Sequence, residues 1–579
     1  MSVAAEAARQ ALAQAAAGRL EEALRSIDRA IAADPQPAFW LARGEFLVDL
    51  GRAGEAAAAF EAADRARPGH APTLSNLAFA RLAAGDARGA QSAAESALAV
   101  DPRHALARAN LGRALQRQGA FTRAERELAL AAAGSRDPAL HLALANTRLN
   151  LGLAREALAA FDAALALSPR DADQVASARL VALHYDDHRG ADELFEAHRD
   201  WAARFAPAPP PRPPRAAPPA DGRLRIGYVS PRLHGSTAGA LLAPVLDHHD
   251  RERFAVYAYA CSPIEDELTA RMRSRVDAWR RVDRLDDLAL ARQLREDGIV
   301  VAVDLAGHTP GHRLGAFARR AAPVQVTWLD YFDTTGLEAM DAIVADAAHV
   351  PHGDAHRFTE RVVRLPGLRY CWEAPAGSPP VPDRGPGRAM TFGSFNRIAK
   401  LSGTTLRAWA EVLRAVPEAR LVVKSPALEH AEEREALLRR FEREGVDPAR
   451  VEPRPASPYL EMLAQYGDVD VALDSFPYNG GITTLEALWM GCPVLTIRGA
   501  SMIARQSAAI LDAVGLEHWI ARDTRDFVSR AVAAAADRDR LRAERASLRG
   551  RLLASPAMDA RGFTRGLENA FAALAAELS

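Results

Sequence analysis

The run DSFPYNGGITTLEALWMGCPVLTIRG, from Asp474 to Gly499, reads as a strand end, a loop of glycines and threonines, and a helix through Leu485–Met490. Such a junction has the chemistry of a phosphate site. Gly480 and Gly481 let backbone N–H groups approach an anion, Thr483 and Thr484 add hydroxyl donors, and the helix N-terminus contributes its dipole. Glu486 is expected in the first turn of that helix, where a carboxylate can accept hydrogen bonds from ribose hydroxyls. A second loop, in TFGSFNRIAK (Thr391–Lys400), ends its strand in Asn396, Arg397 and Lys400. Lysine is scarce in this chain, with only Lys400 and Lys424, so Lys400 is singled out as the cation for a diphosphate. His308 and His312, in AGHTPGHRL, follow an earlier strand that ends at Asp304; either is a candidate base or hydrogen-bond donor, with a structural role equally open for His308 and favoured for His312. The string Asp468-Val469-Asp470 reads as the edge of an alternating strand, so no divalent cation is assigned to it.

These loops need a scaffold that brings strand ends together, and the second half of the chain reads as α/β units that supply one. LRIGYVS, FAVYAYACS, IVVAVDLAG and VQVTWL are strand-like runs separated by helical segments; LVVK and VDVALD follow after a proline- and glycine-rich stretch near Arg388. In a doubly wound sheet the ligand lies at the carboxyl ends of the strands, so loops from one such half can face one crevice. Two lobes are expected, at residues 223–385 and 386–579, the second ending in the helical tail FTRGLENAFAALAAEL. Upstream lies APAPPPRPPRAAPPA (Ala206–Ala220), an extended polyproline-like linker over residues 206–222.

The first half repeats. Gly18, Gly51, Gly85, Gly119 and Gly152 recur at intervals of 33 or 34, each followed about 17 residues on by Pro35, Pro68, Pro102, Pro138 or Pro169. Alanine-rich segments between them match the tetratricopeptide pattern, which predicts five helical hairpins stacked into a superhelix with a concave groove, over residues 1–205 with a helical cap after Ser177. Asn76 and Asn110 share one repeat position and are expected to face the groove, where an amide both donates to and accepts from a peptide backbone. Hydrogen bonding within the array is the competing reading for both.

Composition excludes several classes. A formal net charge of −1 argues against a nucleic-acid footprint. Cys261, Cys371 and Cys492 lack paired spacing and read as reduced thiols, not a metal or disulfide framework. Neither a membrane-spanning run nor a charged leader precedes the repeats, so a cytoplasmic location without membrane partners is expected.

Five segments in order carry a resemblance: RIGYVS (Arg225–Ser230), VDLAGHTPGHRL (Val303–Leu314), APVQVTWLDYFDTTGLEAMD (Ala322–Asp341), FNRIAK (Phe395–Lys400) and the Asp474–Gly499 run. They resemble the catalytic region of the O-linked N-acetylglucosamine transferase family, including its bacterial tetratricopeptide-containing and Spindly-like members. The resemblance implies an α-superhelix of repeats followed by an α/β GT-B glycosyltransferase of two Rossmann-like lobes. It also implies a nucleotide-sugar donor, UDP-N-acetylglucosamine by default, no metal, and a protein acceptor modified on Ser or Thr. Self-association of two chains through the repeats is a further expectation. By the same resemblance Lys400 matches the diphosphate lysine, Thr483 a phosphate-contacting threonine, and Glu486 replaces an aspartate that holds ribose, while Arg397 stands where many relatives have glutamine.

Departures bear on the substrate. Ser236 aligns with a histidine of a DFxxHP-like motif, with His234 two residues away, and Met462 aligns with a histidine that contacts the nucleobase. The loop that usually reads LGYPGTTG is LDYFDTTG, so Asp330, Phe332 and Asp333 bring two acids and an aromatic next to the donor sugar; Asp330 and Asp333 are candidate substrate contacts. Two other readings stand beside a protein O-glycosyltransferase. One is a flagellin-modifying transferase with another donor, such as a nonulosonic acid or deoxyhexose nucleotide. The other is a catalytically silent repeat scaffold.

Overall fold

The computed structural model describes residues 2–212, 221–382, 385 and 387–578. Described residues before Arg170 form ten helices. The first eight pair in chain order, Val3–Ala16 with Leu20–Ala33, Pro37–Asp49 with Ala53–Ala66, Ala71–Ala83 with Ala87–Val100, and Ala105–Gln118 with Phe121–Ala132, and Pro138–Asn150 and Ala154–Ala166 follow them. Ten helices are what five repeats of two require. The periodic glycines make their tight turns, at φ of 74°, 72°, 87°, 84° and 73° for Gly18, Gly51, Gly85, Gly119 and Gly152, a region that residues with a Cβ rarely adopt. Alanine at Ala23, Ala30, Ala56, Ala90 and Ala97 is fully buried, because helices of neighbouring hairpins approach too closely for larger side chains.

Contacts divide the chain into two compact units: Met1–Leu151, Ala159–Pro169 and His430–Ala436 form the first, and Gly152–Leu158, Arg170–Glu429 and Leu437–Ser579 the second. This partition corrects the expected boundary at residue 205. The helices Ala172–Leu183 and Ala191–Phe205, expected to cap the array, belong with the α/β unit. Ser177, His198 and Trp201 are buried there. Of the proline-rich linker, residues 206–212 carry no regular structure, and residues 213–220 lie outside the described residues.

The second unit holds two parallel sheets. Strands β1 (Leu224–Ser230), β2 (Phe254–Ala260), β3 (Ala278–Arg281), β4 (Val301–Asp304), β5 (Val324–Thr327), β6 (Ala342–Ala345) and β7 (Arg361–Arg364) are ordered β3-β2-β1-β4-β5-β6-β7. Strands β8 (Thr391–Ser394), β9 (Arg420–Lys424), β10 (Val451–Arg454), β11 (Val471–Leu473), β12 (Val494–Ile497) and β13 (Ile520–Ala521) are ordered β10-β9-β8-β11-β12-β13. Their apolar runs are buried because helices cover both faces. Each sheet reverses its winding once, between β1 and β4 in the first and between β8 and β11 in the second. Ligands of doubly wound sheets bind outside the carboxyl ends of strands at such points. The loops after β1, β4, β8 and β11 hold Ser236, His308, Lys400 and the Gly480–Thr484 segment.

The tail returns to the first lobe. Helix Ala560–Leu578 buries Glu568, whose Oε1 accepts from His249 Nδ1 at 2.8 Å and from the Asp250 N–H at 2.7 Å. The Tyr228 hydroxyl lies 2.9 Å from His249 Nε2, and burial holds this imidazole below its ordinary pKa. A neutral ring donating from Nδ1 to Glu568 and accepting from Tyr228 at Nε2 satisfies all three groups.

Candidate active site

At the second lobe's switch point the β8 and β11 loops converge on Asp474, which caps β11 and is fully buried. Its Oδ1 accepts from the N–H groups of Ser475 (2.9 Å) and Gly480 (2.8 Å) and from Asn396 Nδ2 (3.3 Å). Its Oδ2 accepts from the Thr496 hydroxyl at 2.7 Å. One carboxylate thus folds the glycine loop back over the strand end and ties it to the β8 loop. A Cβ on Gly480 would lie 2.7 Å from Thr483 Oγ1 and 2.8 Å from Thr484 Oγ1, so the loop closes this tightly only with glycine.

Lys400 ends a short 3₁₀ turn, Ile398–Lys400, that follows Asn396 and Arg397. Its Nζ donates to the Asn479 carbonyl at 2.7 Å and lies 3.4 Å from Asn396 Oδ1, over the Tyr478 ring at 4.6 Å from the centroid. Desolvation lowers its pKa to about 8, Asp474 opposing and the exposed Arg397 adding to the shift. Asn396 also accepts from the Thr483 hydroxyl at 3.1 Å. Asn396, Lys400, Gly480 and Thr483 therefore meet in one cluster.

Other residues of the loop face elsewhere. Thr484 is buried, its hydroxyl shared with Ser507 at 2.7 Å, and Ser507 donates on to the Gly480 carbonyl at 3.1 Å. Gly481 is the N-cap of a helix that runs Ile482–Trp489, starting earlier than the sequence suggested. Glu486 is consequently its fifth residue and lies beyond the first turn. The Tyr459 hydroxyl donates to Glu486 Oε1 at 2.7 Å, and burial lifts this carboxyl to about 7. Asp468 and Asp470 precede β11 instead of alternating along it: Asp468 pairs with Arg454 at 2.7 Å, and Asp470 accepts from the Thr391 N–H at 2.8 Å.

The catalytic expectation for His308 is corrected, while His312 has the structural place favoured for it. His308 is fully buried, with Nδ1 at 2.9 Å from the Ser177 hydroxyl and Nε2 at 3.0 Å from the Thr335 carbonyl. Its ring packs edge-on to Trp201 at 4.5 Å, and burial holds its pKa well below the usual value. Nδ1 joins a cap helix to the lobe and Nε2 bonds within the lobe, so both nitrogens are engaged and neither meets an acceptor substrate. His312 is buried beside it with its pKa lowered to about 4. Ser236 caps helix Thr237–His248, its Oγ accepting from the Gly239 N–H at 3.0 Å and donating to the Arg232 carbonyl at 3.0 Å. His234 is half-buried two residues before it. Met462 packs against the apolar cluster of Leu463, Tyr466 and Val469.

The two acids of LDYFDTTG separate. Asp330 Oδ2 lies 2.7 Å from Arg232 Nε and accepts from the Thr309 hydroxyl at 3.2 Å. Asp333 turns inward beside His184, 3.6 Å from Nε2, and burial lifts its carboxyl to about 7. His184, His198 and Asp333 lie close enough, within 4.8 Å, to hold a cation. The Tyr331 hydroxyl is seated among them, 2.6 Å from His198 Nε2 and 3.5 Å from His184 Nε2. Asp186, Asp187 and His188 form a second such group, in which Asp187 accepts from the Thr404 N–H at 3.0 Å.

In the repeat unit, Asn110 is a correction. It is buried and donates to the Ser75 carbonyl at 3.0 Å, bonding one hairpin to another instead of facing a peptide. Asn76 is half-buried. The sequence reading missed Asp474, Tyr459, Tyr478, whose ring lies under Lys400, and Tyr185, whose ring sits 4.5 Å from that of Tyr478. Position at the carboxyl end of an apolar strand was a usable signal for Asp474; the aromatics had none, since their partners lie far off in the chain.

Comparison with known proteins matches residues 208–371 and 383–567 to glycosyl transferase family 41, and residues 8–71 and 81–147 to tetratricopeptide repeats. A solved structure of an O-GlcNAc transferase mutant from Thermobaculum terrenum is 35% identical, with a TM-score of 0.81, covering 88% of this chain and 98% of that one. SPINDLY of Oryza sativa subsp. japonica, named a probable UDP-N-acetylglucosamine peptide N-acetylglucosaminyltransferase, is 35% identical over 71% of this chain and 45% of its own. The Arabidopsis thaliana protein of that name is 34% identical over 68% and 44%. The chain thus spans less than half the length of these two curated relatives. No helix among the described residues is long and apolar enough to cross a membrane.

Proposed function

Because the chain belongs to glycosyl transferase family 41, we propose that it is a protein O-glycosyltransferase, moving a sugar from a nucleotide donor to Ser or Thr of a polypeptide recruited by the tetratricopeptide repeats. UDP-N-acetylglucosamine is the default donor, since the curated relatives are named for that reaction. The observation that carries the reading is the convergence of Lys400, Asn396 and Thr483 with the Gly480–Gly481 turn at the switch point of the second sheet.

In this reaction the acceptor oxygen attacks the anomeric carbon, the bond from that carbon to the phosphate oxygen breaks, and the acceptor hydroxyl gives up its proton to the departing diphosphate or to solvent. Negative charge grows on the departing diphosphate. Lys400, whose Nζ donates to the Asn479 carbonyl at the edge of the glycine loop, sets its ammonium against that charge, and the N–H groups opening helix Ile482–Trp489 add to it. Glu486 and Tyr459 hold the ribose hydroxyls between a carboxylate and a phenol. His308 takes no proton in this scheme, because both its nitrogens are engaged.

Thermal melts with a panel of nucleotide sugars test the proposal. A cognate donor raises the melting temperature of the native protein and much less that of Lys400→Ala; equal shifts in both would remove the diphosphate role.

A further inference from the structure

At the first lobe's switch point, Arg232 in the loop after β1 and Asp330 in the loop after β5 form an ion pair whose hydrogen-bonding capacity is left open. Arg232 Nε faces Asp330 Oδ2 at 2.7 Å, but off the hydrogen-bond direction. No guanidinium N–H meets a protein acceptor, and Asp330 Oδ1 accepts nothing, among the described residues.

The pair is held in place from both sides. The Arg232 N–H donates to Ser230 Oγ at 3.0 Å, and its carbonyl accepts from Ser236 Oγ. The Asp330 N–H donates to the Leu305 carbonyl at 3.2 Å. Buried Arg369 grips the carbonyls on either side of Asp330, Leu329 at 3.3 Å and Tyr331 at 3.0 Å. Leu329 itself sits at φ 90°, a strained conformation for a branched side chain, which the surrounding structure must over-determine. The fold spends strain and a buried arginine to aim one carboxylate. Asp330 lies within electrostatic reach of Tyr478, whose ring carries Lys400 on the other wall of the crevice. Phe332, two residues after Asp330, packs its ring edge-on to Tyr478 at 5.0 Å, so the loop that carries the pair adjoins the Lys400 cluster.

Resting on the transferase reading, we propose that Arg232 and Asp330 form a clamp that selects the donor sugar, accepting a neutral pyranose with adjacent hydroxyls and rejecting a carboxylated one. The open groups are donors on Arg232 and an acceptor on Asp330, and a hydroxyl matches both because it donates and accepts at once. A sugar carboxylate only accepts, and it meets the like charge of Asp330 beside a guanidinium already neutralised. A nonulosonic acid donor is therefore disfavoured, and neutral hexoses, hexosamines and deoxyhexoses remain.

The test is titration calorimetry on the full chain with UDP, GDP and CMP, then with neutral and carboxylated sugar esters of whichever nucleotide binds; for UDP these are UDP-glucose and UDP-glucuronic acid. The native protein should favour the neutral ester by about tenfold or more, the value of a charged hydrogen bond gained against a like-charge contact. Asp330→Asn and Arg232→Gln should bind the bare nucleotide unchanged, which reports an intact fold, while Asp330→Asn narrows the preference to about threefold or less. Normal nucleotide binding with an unaltered preference in both variants overturns the clamp alone, as does a native preference for the carboxylated ester. A native protein that binds no nucleotide overturns the transferase reading and the clamp with it.

Discussion

Lys400 is the residue on which the proposed charge stabilisation rests, and its environment predicts how it fails. Lys400→Ala removes an ammonium aimed at the leaving group and should lower turnover by about a hundredfold or more, with an unchanged circular dichroism spectrum. Its free-enzyme pKa of about 8 adds a pH signature. A bound diphosphate favours the charged form and raises that pKa in the complex, so donor affinity should be full below about pH 8 and fall as pH rises beyond it. Lys400→Met should flatten this limb. A native profile that stays level from pH 7 to 9.5 would mean that the lysine is not the ligand.

At the scale of elements, two buried carboxylates each join distant segments. Asp474 ties the glycine loop to the β8 loop and to β12. Asp474→Asn keeps the shape but turns an acceptor oxygen into a donor facing donors, so stability should fall by about 1–3 kcal/mol and donor KM should rise several-fold. A donor KM equal to the native value would show that the loop holds its shape without this bond. Glu568 does similar work for the tail. Glu568→Ala strands the His249 Nδ1–H and the Asp250 N–H inside the lobe, and about 3 kcal/mol of stability should disappear in denaturant titrations.

On the scale of the whole molecule, the proposed recruitment and the proposed chemistry fall in separate units. Removing Met1–Leu151 takes away most of the repeat unit and spares Gly152–Leu158, which clusters with the catalytic unit. The truncated protein should lose glycosylation of its protein acceptor yet retain donor binding and slow donor hydrolysis, because every residue of the phosphate cluster lies beyond Arg170. Full modification of the acceptor by the truncated chain would assign acceptor recognition to the crevice alone. Excess EDTA should leave transfer intact, since the charge on the leaving group is met by an ammonium and backbone N–H groups; activity lost to EDTA and restored by manganese would assign that charge to a metal.

Local patterns were enough for much of this protein. The period of glycines and prolines specified five repeats of two helices, because a turn with positive φ recurs wherever the array turns. Apolar runs followed by Asn, Lys, Gly and Thr marked the strand ends of the second lobe, because an anion site needs small residues and donors next to one another in the chain. What local pattern does not encode is which side of a buried surface a polar group faces. His308 looked like a base and is a strut, and Asn110 looked like a groove contact and is an internal bond. The two acids of LDYFDTTG, three residues apart, separate into a carboxylate paired with Arg232 and one set beside His184. Only the packing of Tyr478 under Lys400, of Arg232 against Asp330 and of the cap helices on the first lobe decided those roles. Each depends on partners about 80 to 130 residues away, brought together by sheet order and the burial of apolar surface, which no short stretch of sequence records.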